Sequence, residues 1–158
     1  MHYLLTPMCA ADIAPLTALE RSIFSDPHET SDFPTLPSLS YARVLCAKAP
    51  DGQPVGYAVA YCIADECELL RVAVAPAWRG QGIAKALLHR LFSEAQAQGA
   101  QRFFLEVRAS NTAARALYAA LGFTVYREKP SYYNNPPETA VFLRAQAPLF
   151  RTDSERTG

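Results

Sequence analysis

Residues 69–88 of the chain read LLRVAVAPAWRGQGIAKALL, and this stretch decides the fold class. The apolar run before Pro76 predicts a strand over residues 68–75, because proline cannot continue a strand ladder. The residues that follow predict a helix over 82–98, with apolar side chains at helical spacing and Gly99 as its stop. A strand that leads directly into a helix in this way is typical of a domain that mixes strands and helices.

The turn between this strand and this helix has the features of a phosphate-binding site. Gly80 and Gly82 allow the backbone to turn tightly and to approach a ligand closely. The N–H groups of the first helical turn have no acceptor within the helix, and the helix dipole adds positive potential behind them. Lys85 adds a formal positive charge in the same turn. We therefore predict that residues 79–85 bind phosphate.

Two other interpretations of this turn stay open. One is a plain strand-to-helix connection without a ligand. The other is a dinucleotide-binding fingerprint, since Gly80 and Gly82 follow a strand and Glu106 ends the next one. Against that fingerprint, Lys85 stands where close packing needs a third glycine, residues 76–79 lengthen the turn, and the unit begins in the middle of the chain. The chain contains no Walker A sequence.

Outward from this stretch, strands and helices alternate. After a first strand, the predicted elements are a helix over 11–24, strands over 41–47, 55–63 and 68–75, a helix over 82–98, a strand over 102–108, a helix over 111–121, and strands over 123–127 and 139–144. This order predicts an α/β (α+β) domain: a central, mostly antiparallel sheet with a parallel βαβ unit and helices on both faces.

The length of 158 residues fits one domain with its own core. We predict a single domain over residues 1–150. Residues 26–40 contain three prolines and are expected to form loops and at most a short helix. The polar residues 151–158 are expected to be a flexible tail.

The composition argues against several classes of protein. Fifteen Lys and Arg residues balance fifteen Asp and Glu residues, so neither a nucleic acid nor a membrane surface is an expected partner. The apolar runs are too short to span a bilayer, and the N-terminus does not have the pattern of a secretory signal. The four cysteines lie in apolar patterns, which indicates buried, reduced thiols in a cytoplasmic protein and no metal site.

The strand over 102–108 carries a candidate general base. Its alternation places Phe104, Glu106 and Arg108 on one face. A carboxylate in so apolar a strand is expected to be partly desolvated, which would raise its pKa and suit it to general-base work. The alternative is a structural ion pair of Glu106 with Arg108 or another cation, and the strand alone does not decide between the two.

The next helix adds two polar residues on one face. Asn111 and Tyr118 are seven positions apart, which is two helical turns. Tyr118 can donate a proton to a leaving group, and the alternative is a core tyrosine with a satisfied hydroxyl. Together with Glu106, these residues follow the phosphate turn along the chain. The set indicates group transfer from a cofactor that carries a nucleotide.

These stretches resemble the GNAT acetyltransferase superfamily. The sequence VAV at 72–74 followed by RGQGIA at 79–84 matches its acetyl-CoA motif, (Arg/Gln)-x-x-Gly-x-(Gly/Ala). Residues 105–123, LEVRASNTAARALYAALGF, are similar to the ribosomal-protein-alanine N-acetyltransferases, and Tyr132-Tyr133 with the sequence TAV at 139–141 is similar to the tail of the same pattern. The resemblance covers residues 54–145 well and the first 50 residues weakly.

The resemblance implies an acetyl-CoA-dependent N-acetyltransferase with no metal. It implies that the backbone around Val72, Ala73 and Val74 binds the pantetheine arm. For the rest of the cofactor it implies contacts from Arg79, Gly80, Gln81, Gly82, Ile83, Ala84 and Lys85 around the pyrophosphate, and from Asn111. It implies that Glu106 is the general base and that Tyr118 is the acid that protonates the departing thiolate.

The same resemblance implies that the acceptor is the N-terminal alanine of a small-subunit ribosomal protein. Two departures fall on the acceptor side. His28 follows Pro27 where the family has Trp, and Thr139 stands where the family has an acidic residue, with Glu138 one position earlier.

These departures leave a lysine, a polyamine or another small amine open as the acceptor. A binding module without catalysis is a further alternative, and Glu106 and Tyr118 argue against it. Monomer and homodimer both stay open.

Overall fold

Seven strands and three α-helices alternate along residues 2–24, 31–134 and 136–150, the part of the chain that this computed structural model describes. The strands are β1 (Leu4–Pro7), β2 (Ala42–Lys48), β3 (Pro54–Ile63), β4 (Glu66–Val74), β5 (Arg102–Arg108), β6 (Thr124–Tyr133) and β7 (Glu138–Gln146). The helices are α1 (Ile13–Ile23), α2 (Ile83–Ala97) and α3 (Thr112–Ala120).

The strands form one sheet in the order β1-β2-β3-β4-β5-β7-β6. The ladders β1–β2, β2–β3, β5–β7 and β6–β7 are antiparallel, and the β4–β5 ladder is parallel. This confirms the predicted mixed sheet, which is mostly antiparallel and contains the parallel unit β4-α2-β5. The parallel ladder pairs Glu66, Cys67 and Glu68 of β4 with Arg102, Phe103 and Phe104 of β5.

The chain falls into two compact units. The first comprises Met1–Tyr61 and Leu70–Leu91. In its core, the apolar face of α1, with fully buried Leu16, packs against apolar residues of the strands. Phe33 and Leu36 pack against the same core. The buried members of this core are Leu16, Phe33, Leu36, Cys46, Tyr57, Val59 and Ala73.

The second unit comprises Cys62–Leu69 and Phe92–Gly158. Its core is aromatic: the ring of Phe92 lies 5.4 Å from that of Phe103 and 5.6 Å from that of Phe123. Phe103, Leu105 and Val107 are all buried, because the odd-numbered face of β5 turns inward. The even-numbered face, with Glu106, is left more accessible.

Two predictions about the elements need correction. The strand predicted over 123–127 extends as β6 to Tyr133, beyond Pro130. Residues 128–133 show no apolar alternation, because β6 is an edge strand that is held by its ladder to β7 and is exposed along nearly all of its length. Cys9 is exposed, whereas Cys46 and Cys67 are buried as predicted.

Some predicted features fall outside the described residues. Pro27 and His28 belong to residues 25–30, and the predicted tail is residues 151–158. The described part of residues 26–40 contains one short 3-10 helix, Leu36–Ser38, as expected for that proline-rich stretch. No helix among the described residues has both the length and the apolar character needed to cross a membrane.

Candidate functional site

The turn before α2 has the open, glycine-dependent geometry that a phosphate cradle needs. Gly80 and Gly82 have φ angles of +80° and +77°, a region that side chains rarely adopt. A Cβ added at either position would meet no atom within 4 Å, so the space above the turn is open. In the first backbone hydrogen bond of α2, the Ala86 N–H donates to the Gly82 carbonyl at 3.0 Å. The N–H groups of residues 83–85 therefore lack a helical acceptor and suit a diphosphate.

Arg79 fixes this turn to the end of β4. Its Nε donates to the Val74 carbonyl at 3.0 Å. The intervening 3-10 turn, Pro76–Trp78, begins at Ala75, whose N–H donates to the Val55 carbonyl at 2.7 Å. The predicted cofactor residues 72–74 and 79–85 thus all lie in the first unit, on one continuous strand, turn and helix.

Gly56 is a residue of this region that the sequence reasoning missed. A Cβ at this position would lie 3.1 Å from the Ala73 carbonyl oxygen and 3.4 Å from Cγ2 of Ile83. Gly56 therefore lets β3 approach the predicted cofactor strand and the first turn of α2. The signal was available, because a glycine inside a strand often marks a close backbone approach.

Glu106 lies in the second unit on β5, in register with Phe142 of β7. Its side chain is exposed, so the expected desolvation of this carboxylate is wrong. The strand is apolar on its inward face only, and Glu106 is on the other face. A cavity of about 300 Å³ opens beside it, lined by Glu66, Glu68, Phe104, Leu105, Glu106, Tyr126 and Phe142.

Tyr132 lies beside the candidate base. Interaction of its hydroxyl with the Glu106 carboxylate, together with burial, raises the pKa of Tyr132. Its ring lies 5.5 Å from that of Phe142, in an edge-to-face arrangement. Sequence reasoning placed Tyr132 in a family pattern but not in the site. Its approach to Glu106 depends on the pairing of β6 with β7, which local sequence does not specify.

Asn111 is the N-cap of α3. Its Oδ1 accepts a hydrogen bond from the Ala114 N–H at 3.1 Å. The neighbouring Ser110 N–H donates to Glu138 Oε1 at 2.6 Å, and Glu138 also pairs with Arg108 at 3.5 Å. These bonds lower the pKa of Glu138. Glu138, one position before Thr139, therefore fixes the turn between β5 and α3.

Tyr118 is buried on α3, with 6% of its surface exposed. Its ring lies 6.1 Å from that of Phe123. Burial raises the pKa of Tyr118 to about 12. The phenol is therefore protonated over the whole physiological pH range, which suits a hydrogen-bond donor.

This pKa predicts a loss of stability in alkali. Between pH 10 and 12 the unfolded chain has lost the Tyr118 proton and the folded chain keeps it, so the free energy of unfolding falls as pH rises. The Tyr118 contribution to this fall is about 1.4 kcal/mol between pH 8 and pH 11. Urea unfolding measures the free energy of unfolding at these two pH values. Its decrease from pH 8 to pH 11 should be about 1.4 kcal/mol smaller for Tyr118→Phe than for the unsubstituted protein.

The control is Leu121→Ala, at a buried residue that follows α3; it removes no ionisable group and should leave the pH dependence of unfolding unchanged. Equal losses for Tyr118→Phe and the unsubstituted protein would contradict the assignment. Tyr57, whose pKa is also raised by burial and by Glu20, contributes in the same direction in every variant.

Comparison with known proteins identifies the type of domain. The sequence profile described as Acetyltransferase (GNAT) family matches residues 13–123, more than half of the chain. A [ribosomal protein bS18]-alanine N-acetyltransferase of Haemophilus ducreyi is 40% identical over 92 residues. That alignment covers 56% of this chain and 63% of the relative, so the chain spans less than two thirds of that relative's length.

Solved structures agree on the fold. The ribosomal-protein-S18-alanine N-acetyltransferase of Escherichia coli superposes with a TM-score of 0.80 at 26% identity, over 92% of this chain and 94% of the other. Arabidopsis thaliana NAA60, solved in complex with acetyl-CoA, superposes with a TM-score of 0.82 at 20% identity, over 92% and 99% of the two chains. At 20% identity the match to NAA60 shows a similar fold and nothing more.

Proposed function

Since the chain belongs to the acetyltransferase (GNAT) family, we propose that it transfers the acetyl group of acetyl-CoA to the N-terminal α-amino group of a protein, with the N-terminal alanine of a small-subunit ribosomal protein as the acceptor. The observation that carries the proposal is the open turn at Gly80 and Gly82 at the start of α2. The relatives named as alanine N-acetyltransferases of ribosomal protein bS18 support the choice of acceptor.

The first unit binds the donor. The N–H groups of residues 83–85, with the helix dipole behind them and Lys85 beside them, hold the diphosphate. Arg79 keeps the turn on Val74. The backbone around Val72, Ala73 and Val74, at the end of β4, takes the pantetheine arm. Gln81 and Asn111 are proposed as further cofactor contacts.

Bound acetyl-CoA supplies an activated acyl group: a C–N bond forms to the amine and the C–S bond breaks. A backbone N–H of β4 aimed at the thioester oxygen stabilises the charge that develops there, typically by about 3 kcal/mol. Glu106 receives the proton that the amine loses, directly or through one water molecule. The Tyr132 hydroxyl lies beside this carboxylate and is proposed to orient it.

Tyr118 acts on the leaving group. The Tyr118 phenol, with a pKa of about 12, is a weaker acid than the thiol of coenzyme A, with a pKa of about 8.5. Complete proton transfer to the sulfur would be uphill by roughly 5 kcal/mol. We therefore expect Tyr118 to stabilise the departing sulfur as a hydrogen-bond donor, while coenzyme A leaves as the thiolate and then takes its proton from solvent.

The acidity of the amine favours a protein N-terminus. An α-amino group with a pKa of about 7.8 is roughly one quarter neutral at pH 7.4, whereas a lysine at about 10.4 is neutral in only about one molecule in a thousand. The difference between the two pKa values means that deprotonation of a lysine costs about 3.5 kcal/mol more free energy than deprotonation of an α-amine. A single exposed carboxylate is a modest base, which suits the more acidic α-amine.

One observation favours a second candidate. Glu66 and Glu68 line the cavity beside Glu106, and acidic walls suit a cationic small molecule such as a polyamine. Arg102 offsets part of this charge, since it pairs with Glu66 at 3.0 Å.

The test is a panel of acceptors with acetyl-CoA, followed by mass spectrometry to locate the acetyl group. The panel contains peptides that begin with Ala-Arg, Ser or Met, the Ala-Arg peptide with a blocked N-terminus and one lysine, and spermidine. We expect acetylation of the free alanine α-amine, and none of its blocked counterpart. Acetylation of spermidine or lysine alone would overturn the choice of acceptor in favour of the second candidate.

Replacement of Tyr118 by Phe should lower turnover by about 100-fold, since it removes the donor to the sulfur while the ring still fills its place. Steady-state kinetics at saturating substrates measure this loss, and circular dichroism checks the fold. Unchanged turnover would leave Tyr118 as a core tyrosine without a catalytic role.

A further inference from the structure

A second carboxylate of the second unit faces the cavity beside the candidate base. Cys67 and Leu69 of β4 are buried, so Glu68 between them lies on the opposite, exposed face of the sheet. There it lines the same cavity of about 300 Å³ as Glu106. The β4–β5 ladder pairs Glu68 with Phe104, and Glu106 follows two residues later on the same face, about 6.6 Å along the strand. The two carboxylates therefore belong to neighbouring positions of one face.

The negative charge of Glu68 has no salt bridge within the described part of the chain. Glu66, the other acidic residue of β4 in the cavity, differs in this respect, because it pairs with Arg102 at 3.0 Å. The neighbouring Tyr132 hydroxyl is affected by the uncompensated charge. Interaction with the Glu106 carboxylate, burial and the negative charge of Glu68 all raise the pKa of Tyr132. The potential on this side of the cavity is therefore negative.

The remaining walls of the cavity are aromatic. The charged and titratable side chains of β6 and β7 beside these walls are Tyr126, Arg127, Tyr132 and Arg144. Arg127 and Arg144 lie over the rings of Phe142 and Tyr126, at 5.4 and 5.1 Å from the ring centres. No cation of the described chain lies over the ring of Phe104. A ring face and a carboxylate both attract an ammonium group, so the paired positions on β4 and β5 suit a cation from solvent.

The acceptor amine reaches the enzyme mostly as a cation. With a pKa of about 7.8, roughly three quarters of an α-amino group is protonated at pH 7.4. Attack on a thioester needs the neutral amine, so one proton has to leave after the acceptor has bound. A site that holds the cation next to a general base would therefore accept the form of the acceptor that is most abundant.

We propose that the acceptor amine docks as its ammonium cation on Glu68 and the ring of Phe104, and that Glu106 then takes its proton. The neutral amine that remains attacks the thioester, the C–S bond breaks, and Glu106 afterwards releases the proton to solvent. This inference rests on the proposed function and adds an acceptor-binding residue to it. Because Glu68 stabilises the charged form of the amine only, it tightens binding and raises the pKa of the bound amine by the same interaction.

Glu68→Gln tests the docking role through two linked measurements. At about pH 6.5, where the α-amine is almost fully protonated, the acceptor KM should rise about fivefold. The pH at which kcat is half-maximal should fall by about 0.7 unit, the same factor, because the bound amine has lost the carboxylate that favoured its protonated form. Glu68 is exposed, so the fold should be unaffected, and the acetyl-CoA dissociation constant should stay within about twofold of the unsubstituted value.

The matched control is Glu128→Gln, the same chemical change at an exposed position of β6 that does not line the cavity. It should change neither the acceptor KM nor the pH profile. If Glu68→Gln lowers kcat by about 100-fold or more and leaves the acceptor KM unchanged, Glu68 itself takes the proton and the docking role is wrong. A variant that changes only the melting temperature would contradict the docking role as well.

Two unreactive peptides test the same contact without turnover. One begins with an N-trimethylated alanine, which is permanently cationic and cannot be acetylated. In the other, a neutral tert-butyl group replaces the trimethylammonium group. Calorimetric titration should show that the unsubstituted protein binds the cationic peptide about tenfold more tightly than the neutral one, and Glu68→Gln should reduce this preference to about twofold.

The outcomes separate this inference from the proposed function. If the unsubstituted protein acetylates an α-amine of the panel but binds the two unreactive peptides equally, docking as a cation is wrong and the proposed function stands. If it acetylates no amine in the panel, the proposed function fails and this inference fails with it.

Discussion

Glu106→Gln should lower kcat by two to four orders of magnitude, the range that general-base catalysis supplies. The amide is nearly the same size as the carboxylate and can still accept the Tyr132 hydroxyl, but it cannot take a proton from the amine. Glu106 is exposed on a strand whose opposite face carries the core, so the fold should be unaffected. Steady-state turnover and calorimetric titration with acetyl-CoA measure the two quantities that should separate: kcat falls and donor binding stays.

The matched control is Glu128→Gln, the same chemical change at an exposed position of β6 in the same unit. It should leave kcat within about twofold of the unsubstituted enzyme, as is usual for a surface change away from a site. A Glu106→Gln enzyme with full turnover at saturating substrates would remove Glu106 from the mechanism. Restored activity at high pH in this variant would indicate that the base serves only to deprotonate the amine.

Gly82→Glu should abolish the binding of coenzyme A, with a dissociation constant raised at least 100-fold, or about 2.7 kcal/mol. The new side chain extends into the open space above the turn and places a negative charge where the diphosphate is proposed to lie. Like charges repel, and the helix dipole can then no longer favour the ligand. Calorimetric titration with coenzyme A measures this loss without any need for an acceptor.

Gly99→Glu controls for the effects of the substitution itself. Gly99 follows the other end of α2, has a φ angle of +105°, and likewise has no atom within 4 Å of an added Cβ. The two variants thus carry similar backbone strain, roughly 1–2 kcal/mol, and the same added charge. Gly99→Glu should be destabilised but bind coenzyme A normally. Equal affinity of the two variants for coenzyme A would refute the diphosphate assignment of Gly82.

The strand, turn and helix around residues 68–98 could be predicted from the sequence, because their signals are local. Proline and glycine restrict the backbone at their own positions, and helical spacing identifies the face of α2 that is buried. The cap at Asn111 and the parallel unit β4-α2-β5 follow from the same kind of signal. The proposed donor site could therefore be predicted almost completely from neighbouring residues.

The surroundings of the candidate base and of the buried ion pair could not be predicted from the sequence. The exposure of Glu106 depends on what covers each face of β5, and the position of Tyr132 beside it depends on the pairing of β6 with β7. Glu20 of α1 and Arg71 of β4 form a buried ion pair at 3.1 Å, although they lie 51 positions apart in the chain. No local periodicity records which distant charges meet, because burial and hydrogen bonding are properties of the packed chain and not of adjacent residues.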